Sequence, residues 1–287
     1  MRAHLLVLVL LLAGCQGTTP ILPPPVETPP GSIVDLRTGQ ALAPEALAVL
    51  LAQAPRVIVG EQHDNPDHHS VQLWLLRSLA SQRSQGSLLL EMLNPAQQAS
   101  VDATKVSING ARLPDDLPGL LAWQPGWDWS LYGPLVGYAL KQPYPLLSAN
   151  LDREEVRSIY GRAPALPGAR VNARAVTEAL SEQILQSHCG LLPQAQVPAM
   201  LAVQQQRDRR MAERLLAAPA PALLFAGAFH ARKDLGVPLH LAELGRPGDA
   251  MVLMLAERGS VVSRTEADVV WFTPPQPEQD YCARLKR

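Results

Sequence analysis

The sequence predicts an α/β protein: a mainly parallel β-sheet with helices on both faces and an inserted helical cap. Three observations lead there. Short apolar runs at Arg56-Val57-Ile58-Val59-Gly60, Ser87 to Met92, Pro145 to Ala149 and Ala222 to Gly227 lack the polar alternation of a half-wetted strand. They read as strands covered on both sides. Segments of helical period separate them, and repeated strand–helix–strand units dictate parallel pairing with right-handed crossovers. Two long helical patterns, Ala173 to His188 and Val197 to Ala217, follow one another with no strand between them, which marks the insertion.

Taken from the start, the chain opens with Arg2 and His4, an unbroken apolar run from Leu5 to Leu12, then Ala13-Gly14-Cys15. The run is about half the length that crosses a bilayer, so it reads as a secretory leader. Leu12-Ala13-Gly14-Cys15 resembles the lipobox of bacterial lipoproteins, which makes Cys15 the expected lipidation site and Gln16 the residue that directs the chain to the outer membrane. Residues 1–14 are thus expected to be a signal peptide. Residues 15–31, with Pro20, Pro23, Pro24, Pro25, Pro29 and Pro30, are expected to form a semi-rigid tether from the lipidated, palmitate-bearing Cys. Residues 32–287 are expected to form a single domain; about 250 residues suffice for one core. Twenty-five Lys and Arg face 26 Asp and Glu with no basic cluster, which argues against nucleic acid as a partner. With Cys15 lipidated, Cys189 and Cys282 remain, and two thiols in an exported domain predict one disulfide.

After the first strand, Asp67 to Ser84 carries Val71, Trp74, Leu75 and Leu79 at helical spacing. Ser87 to Met92 is the second strand. Asn94 with Pro95 starts a helix reaching about Lys105. Leu113 to Gly126 reads as loop, Trp127 to Gln142 as helix, Pro145 to Ala149 as the third strand and Asp152 to Tyr160 as helix. Beyond the two cap helices come the Ala222–Gly227 strand, a short helix at Pro238 to Leu244, and closing strands at Ala250 to Ala256 and Asp268 to Phe272.

Gly60-Glu61-Gln62-His63 and Gly227-Ala228-Phe229-His230 are the same pattern, Gly-x-x-His, at the carboxyl ends of two strands. That edge is where open α/β sheets bind ligands. Glu91 and Asn150 stand at the corresponding ends of two further strands. Glu61, His63, Glu91 and His230 therefore form a candidate site. Two imidazoles with two carboxylates suit a divalent metal, with His68 and His69 as further ligands. The same residues equally suit acid–base catalysis without metal. No nucleophile elbow accompanies them. A third reading starts from Trp123, Trp127, Trp129, Tyr132 and Tyr138, crowded into one stretch of an aromatic-poor chain: an apolar slot for a tetrapyrrole.

Several blocks, in order, resemble the ChaN-type haem-binding lipoproteins of Gram-negative iron uptake. They are Val57 to His69, Leu90-Glu91-Met92, Trp127 to Leu135, Ser148 to Leu151, Cys189 to Pro193, Gln206 to Ala212 and Ala226 to Pro238. The resemblance implies an α/β fold that dimerises around haem, a tyrosine on each iron, and His and Lys groups on the propionates. Tyr132, inside a matching block, is the expected iron ligand, with Tyr138 and Tyr160 as alternatives. His230, Arg232 and Lys233 are the expected propionate or supporting groups. A haem-receptor partner is implied as well. The fold is also similar to erythromycin-esterase-like hydrolases and TraB/Tiki-type metalloproteases, which share paired Gly-x-x-His turns and glutamates. The rival expectation is therefore an exported metal-dependent hydrolase.

Overall fold

The structure is a computed structural model and describes residues 27–108 and 112–285. Cys15, the apolar leader and the start of the Pro-rich tether lie outside the described residues. Among the described residues no helix is long and apolar enough to cross a membrane.

A hairpin of β1 (Ser32–Asp35) and β2 (Gln40–Leu42) leads into α1 (Pro44–Ala52) and β3 (Arg56–Glu61). Then come α2 (Pro66–Ala80), β4 (Ser87–Leu90), a 3₁₀ turn at Pro95–Gln97, α3 (Gln98–Ile108), α4 (Leu117–Leu120), α5 (Trp129–Leu140) and β5 (Leu146–Ser148). The insertion comprises α6 (Arg153–Arg162), α7 (Arg174–Ser187) and α8 (Val197–Ala217). The chain closes with β6 (Ala222–Gly227), α9 (Ala228–Ala231), α10 (Val237–Glu243), β7 (Met251–Glu257), β8 (Val269–Thr273) and α11 (Tyr281–Leu285).

The eight strands form one sheet in the order β2-β1-β8-β7-β3-β6-β4-β5. Pairing is parallel from β8 to β5, and β1 alone runs against the other strands, pairing antiparallel with both β8 and β2. The expected sheet and cap are therefore present. The hairpin and α1 are additions that local sequence signals do not announce. Strands of four and three residues are too short for a period, and β1 pairs with β8, more than two hundred residues away. Leu113 to Gly126 also gains a single helical turn, α4, whose Leu117 is buried.

Every residue of β3 and β6 is buried, as parallel strands with helices on both faces require. Residue parity divides the core in two. Val57, Val59, Leu88, Leu90, Leu223 and Phe225 face α2, α3 and α5. Ile58, Leu89, Ala222, Leu224 and Ala226 face α8 and α10. Cys189, in the α7–α8 corner, is joined to Cys282 of α11, with Cα atoms 5.6 Å apart. Gln276 reaches Asp67 at 2.8 Å and Tyr281 bonds Asp64, so the C-terminal arm lies beside the loop that follows β3.

Candidate functional site

The same parity sorts the site residues. Glu61 continues the Val57–Val59 face, and Glu91 continues the Leu89 face. The two carboxylates therefore leave the carboxyl edge on opposite sides of the sheet, and each recruits its own partners.

On the α2/α5 side Glu61 is almost fully buried. His63 Nδ1 lies 2.8 Å from Glu61 Oε1, and the Tyr132 hydroxyl donates to the same oxygen at 2.6 Å. His69 Nδ1 approaches Glu61 Oε2 at 3.3 Å, and its Nε2 lies 2.9 Å from the His63 carbonyl. Burial alone would lower the His63 pKa, but the bond to Glu61 and the nearby Glu91 charge outweigh it and raise it. With Nδ1 committed to Glu61, the free ring nitrogen is Nε2, and the side chain is 39% exposed. Trp127 stands edge-on to that imidazole at 4.8 Å.

On the α8 side Glu91 Oε2 accepts the Gly227 N–H at 2.7 Å, and Glu91 Oε1 lies 3.3 Å from His230 Nε2. His230 Nδ1 lies 2.6 Å from Asp208 Oδ1 on α8. Burial would strip the proton from His230, but the two carboxylates that flank it hold its pKa up at about 10. Burial raises Glu91, and the His230 charge more than reverses this, leaving it well below the usual carboxylate range. Asp208, where burial dominates, is raised to about 6. The result is a buried imidazolium clamped between two carboxylates, tying the cap to the sheet.

Gly227 joins the two halves. A Cβ on it would stand 2.7 Å from His63 Nε2 and 3.5 Å from Glu91 Oε2, so only a bare α-carbon lets the imidazole lie there.

The remaining histidines of the first motif hold the loop. Asn65 caps α2 by accepting from the Asp67 and His68 N–H groups, with Pro66 in the first turn. His68 Nδ1 accepts the Gln62 N–H at 2.9 Å, and burial keeps the ring neutral with a pKa of about 4. Asn150 donates to the Glu91 carbonyl at 3.0 Å and so fixes the backbone beneath that carboxylate. Asp208 and the Gly227 N–H were not legible as site groups. Asp208 sits in a helix where its charge looks like part of a solvated Arg-Asp-Arg-Arg face, and a backbone donor leaves no mark on composition.

Two expectations are corrected. Among the described residues no three His, Cys, Asp or Glu side chains are grouped so as to hold a metal ion. Glu61, His63, Glu91 and His230 meet as two separate couples, Glu61 with His63 and Glu91 with His230. Arg232 and Lys233 do not reach the crevice. Arg232 is neutralised by Asp234 and Glu266, and Lys233 by Asp268. Lys233 lines a depression with Ala54, Pro55 and Met251 at the amino edge of the sheet, opposite His230.

Tyr132 is also placed differently from a metal-ligating phenol. It is fully buried, its hydroxyl is donated to Glu61, and burial drives its pKa far upward. It packs edge-on to His69 at 4.4 Å, under Trp123 and Trp127. An iron ligand needs an accessible, ionisable oxygen; here the phenol holds Glu61 and His63 in place. Tyr138 is half-buried beneath Arg77. Tyr160 alone of the three expected candidates is exposed.

Beside the couples a crevice of about 580 Å³ opens between the carboxyl ends of β4 and β5 and the start of α6. Met92, Pro125, Trp127, Leu151 and Val156 give it apolar walls; Arg153 and Arg207 give it charge.

These features define an α/β ligand-binding protein with its pocket at the carboxyl edge of a parallel sheet. The profile of the family described as haem-binding uptake, Tiki superfamily, ChaN matches residues 47–241, and the chain belongs to that family. Among solved structures it is similar to ChaN of Campylobacter jejuni, described as binding heme cofacially. The identity is 28%, the match covers 84% of this chain and 96% of that one, and the TM-score is 0.76. A more distant likeness is to the erythromycin esterase EreC in its open conformation, 14% identical over 85% of this chain and 83% of that one, TM-score 0.47. No curated protein sequence matches the chain.

Proposed function

We propose that this protein binds haem in the carboxyl-edge crevice as a homodimer and serves haem and iron uptake from the outer membrane, anchored there through Cys15. Membership of the haem-binding uptake family carries the reading. The crevice fits the ligand: apolar walls for the ring, and guanidinium groups for its carboxylates. Arg153, Val156 and Tyr160 share one face of α6 by their i, i+3, i+7 spacing, and the first two line the crevice. Tyr160 lies one turn beyond Val156 on α6, is exposed, and would be the residue that holds the haem iron in this reading. The chemistry that haem supplies when bound is its iron's affinity for a phenolate.

The test is a spectroscopic titration of the protein from residue 27 onward with ferric haem. A Soret shift at micromolar haem is expected, with a phenolate charge-transfer band lost in Tyr160→Phe and kept in Tyr132→Phe. No Soret shift refutes the reading, and a band that survives Tyr160→Phe refutes the ligand.

One observation favours a second reading, an acid–base hydrolase: the Glu61–His63 couple leaves an exposed ring nitrogen beside the crevice. Ester hydrolysis that persists in chelator and disappears in His63→Gln is the expected result of that reading. Absence of turnover in the wild type refutes it.

A further inference from the structure

We propose that the carboxyl edge of the sheet, from the tether root at Ser32 to the loop between β7 and β8, is a membrane-contact surface, so that the crevice opens toward the bilayer that holds the anchor. The inference rests on the Cys15 anchor proposed above and adds to it which face of the domain meets lipid.

The first support is where the tether joins. β1 runs against β8, and its first residue, Ser32, pairs with Phe272, one residue before the carboxyl end of β8. Gly31 lies flat on Trp271, where a Cβ would collide with the indole nitrogen. Glu27 to Pro30 wall a depression with α2, from Asp67 to Arg77, so the chain stays on the globule as far as Glu27. The links from Cys15 to Glu27 reach at most about 40 Å. A globule of about 250 residues is roughly 45 Å across. The tether is thus no longer than the domain is wide, and it favours contact on the side where it joins.

The second support is the loop beside that root. The Arg258 N–H bonds the Thr273 carbonyl at 2.8 Å, which sets the turn after β7 at the same end of the sheet. The loop runs Arg258-Gly259-Ser260-Val261-Val262-Ser263-Arg264. Val261 is 90% exposed. Arg258 and Arg264 are exposed too, and neither forms an ion pair with a described residue. The carboxylates nearest in the chain are engaged elsewhere: Glu257 by Asn65, Glu266 by Arg232 and Asp268 by Lys233. An aliphatic tip between two unmatched guanidiniums suits a lipid interface, where the methyls enter the acyl boundary and the cations meet phosphates. Two exposed aromatics continue along the edge, Tyr281 against Asp64 in the loop after β3 and Phe229 after β6. Aromatic side chains favour the headgroup level.

The sheet order then places the crevice. From β8 to β4 there are four strand steps, or about 20 Å, along this same edge. A flat apolar ligand that carries carboxylates partitions into a bilayer interface. In this pose the crevice exchanges it with lipid and not with bulk water.

The experiment uses the full lipidated chain in vesicles of phosphatidylethanolamine and phosphatidylglycerol whose acyl chains are brominated near the headgroup. One fluorophore is attached to Val261→Cys, another to Gln53→Cys, an exposed position just before the amino end of β3. Cys189 and Cys282 are joined to each other, so the introduced thiol takes the label. The label at 261 is expected within about 10 Å of the acyl boundary and to be quenched. The label at 53, a strand length or about 20 Å farther away, is expected to keep its emission. Quenching at 261 is expected to weaken in Arg258→Gln/Arg264→Gln. Equal quenching at the two positions, or stronger quenching at 53, overturns the proposal. So does quenching at neither position in a chain that co-floats with the vesicles, which assigns the exposed side chains to a protein partner. A chain that does not co-float overturns the anchor reading itself, and the contact face with it.

Discussion

Replacing His230 by Gln tests whether the buried cluster is held by charge. His230 is 6% exposed and lies between Asp208, fully buried, and Glu91, 3% exposed. Gln keeps a hydrogen-bond donor and removes the positive charge, which leaves two carboxylates facing one another in the core. Breaking a buried pair by deleting one partner costs about 3–5 kcal/mol, because the survivor is buried and uncompensated. For a domain of this size each kcal/mol moves the thermal midpoint by roughly 2–4 °C. The variant should therefore melt about 6–20 °C below wild type at pH 7.5. The deficit should shrink at pH 5, where the two carboxylates accept protons in place of the lost cation. Circular-dichroism melts at the two pH values measure both quantities. A variant within about 2 °C of wild type at pH 7.5 refutes the charge clamp. A deficit equal at both pH values shows that lost packing, not charge, is responsible.

The same cluster sets the direction of the wild-type pH profile. His230 is raised from 6.5 to about 10, so its stabilisation is complete below pH 6.5 and is lost as pH climbs through 10. Asp208, raised from 3.8 to about 6, also favours the folded state at low pH and loses that contribution through pH 6. Glu91 is lowered, so its contribution is present above 4.5 and is lost on acidification. The midpoint should peak at mildly acid pH and decline toward pH 10; a profile flat from pH 6 to 10 counts against the protonated His230. Gly227→Ala places a methyl 2.7 Å from His63 Nε2 and should push the imidazole off Glu61. NMR titration should then find the His63 pKa lowered toward 6.5, and an unchanged value means the ring had room. Reducing Cys189–Cys282, which spans 93 positions, should destabilise the fold by up to about 4–5 kcal/mol on a chain-entropy account. Unaltered melting after full reduction would show that the arm contributes nothing.

The sheet was legible because parallel strands buried on both faces must be apolar throughout. Arg56 to Gly60 and Ala222 to Gly227 therefore announce themselves without their neighbours. The carboxyl-edge site was legible for a related reason: polar residues that directly follow such runs, Glu61, His63, Glu91 and Asn150, have only the crevice to enter. The sequence does not reveal which face each one enters. That is decided by a strand's parity, and parity here separates a quartet that reads as one metal centre into Glu61–His63–Tyr132 on one face and Glu91–His230–Asp208 on the other. Tyr132 misleads by the same mechanism. Its place among tryptophans reads as a ligand slot, yet α5 turns it inward onto the Glu61 face, whereas α6, with no buried residue at all, leaves Tyr160 at the surface. Cations are misjudged for a different reason. Arg232 and Lys233 stand two and three residues after His230, but the chain doubles back through α9, and Asp234, Glu266 and Asp268 neutralise them. Free positive charge is a property of the whole set of carboxylates around a group. Arg153 and Arg207, which line the crevice and form no ion pair among the described residues, lie on α6 and α8 of the inserted cap, outside both Gly-x-x-His motifs.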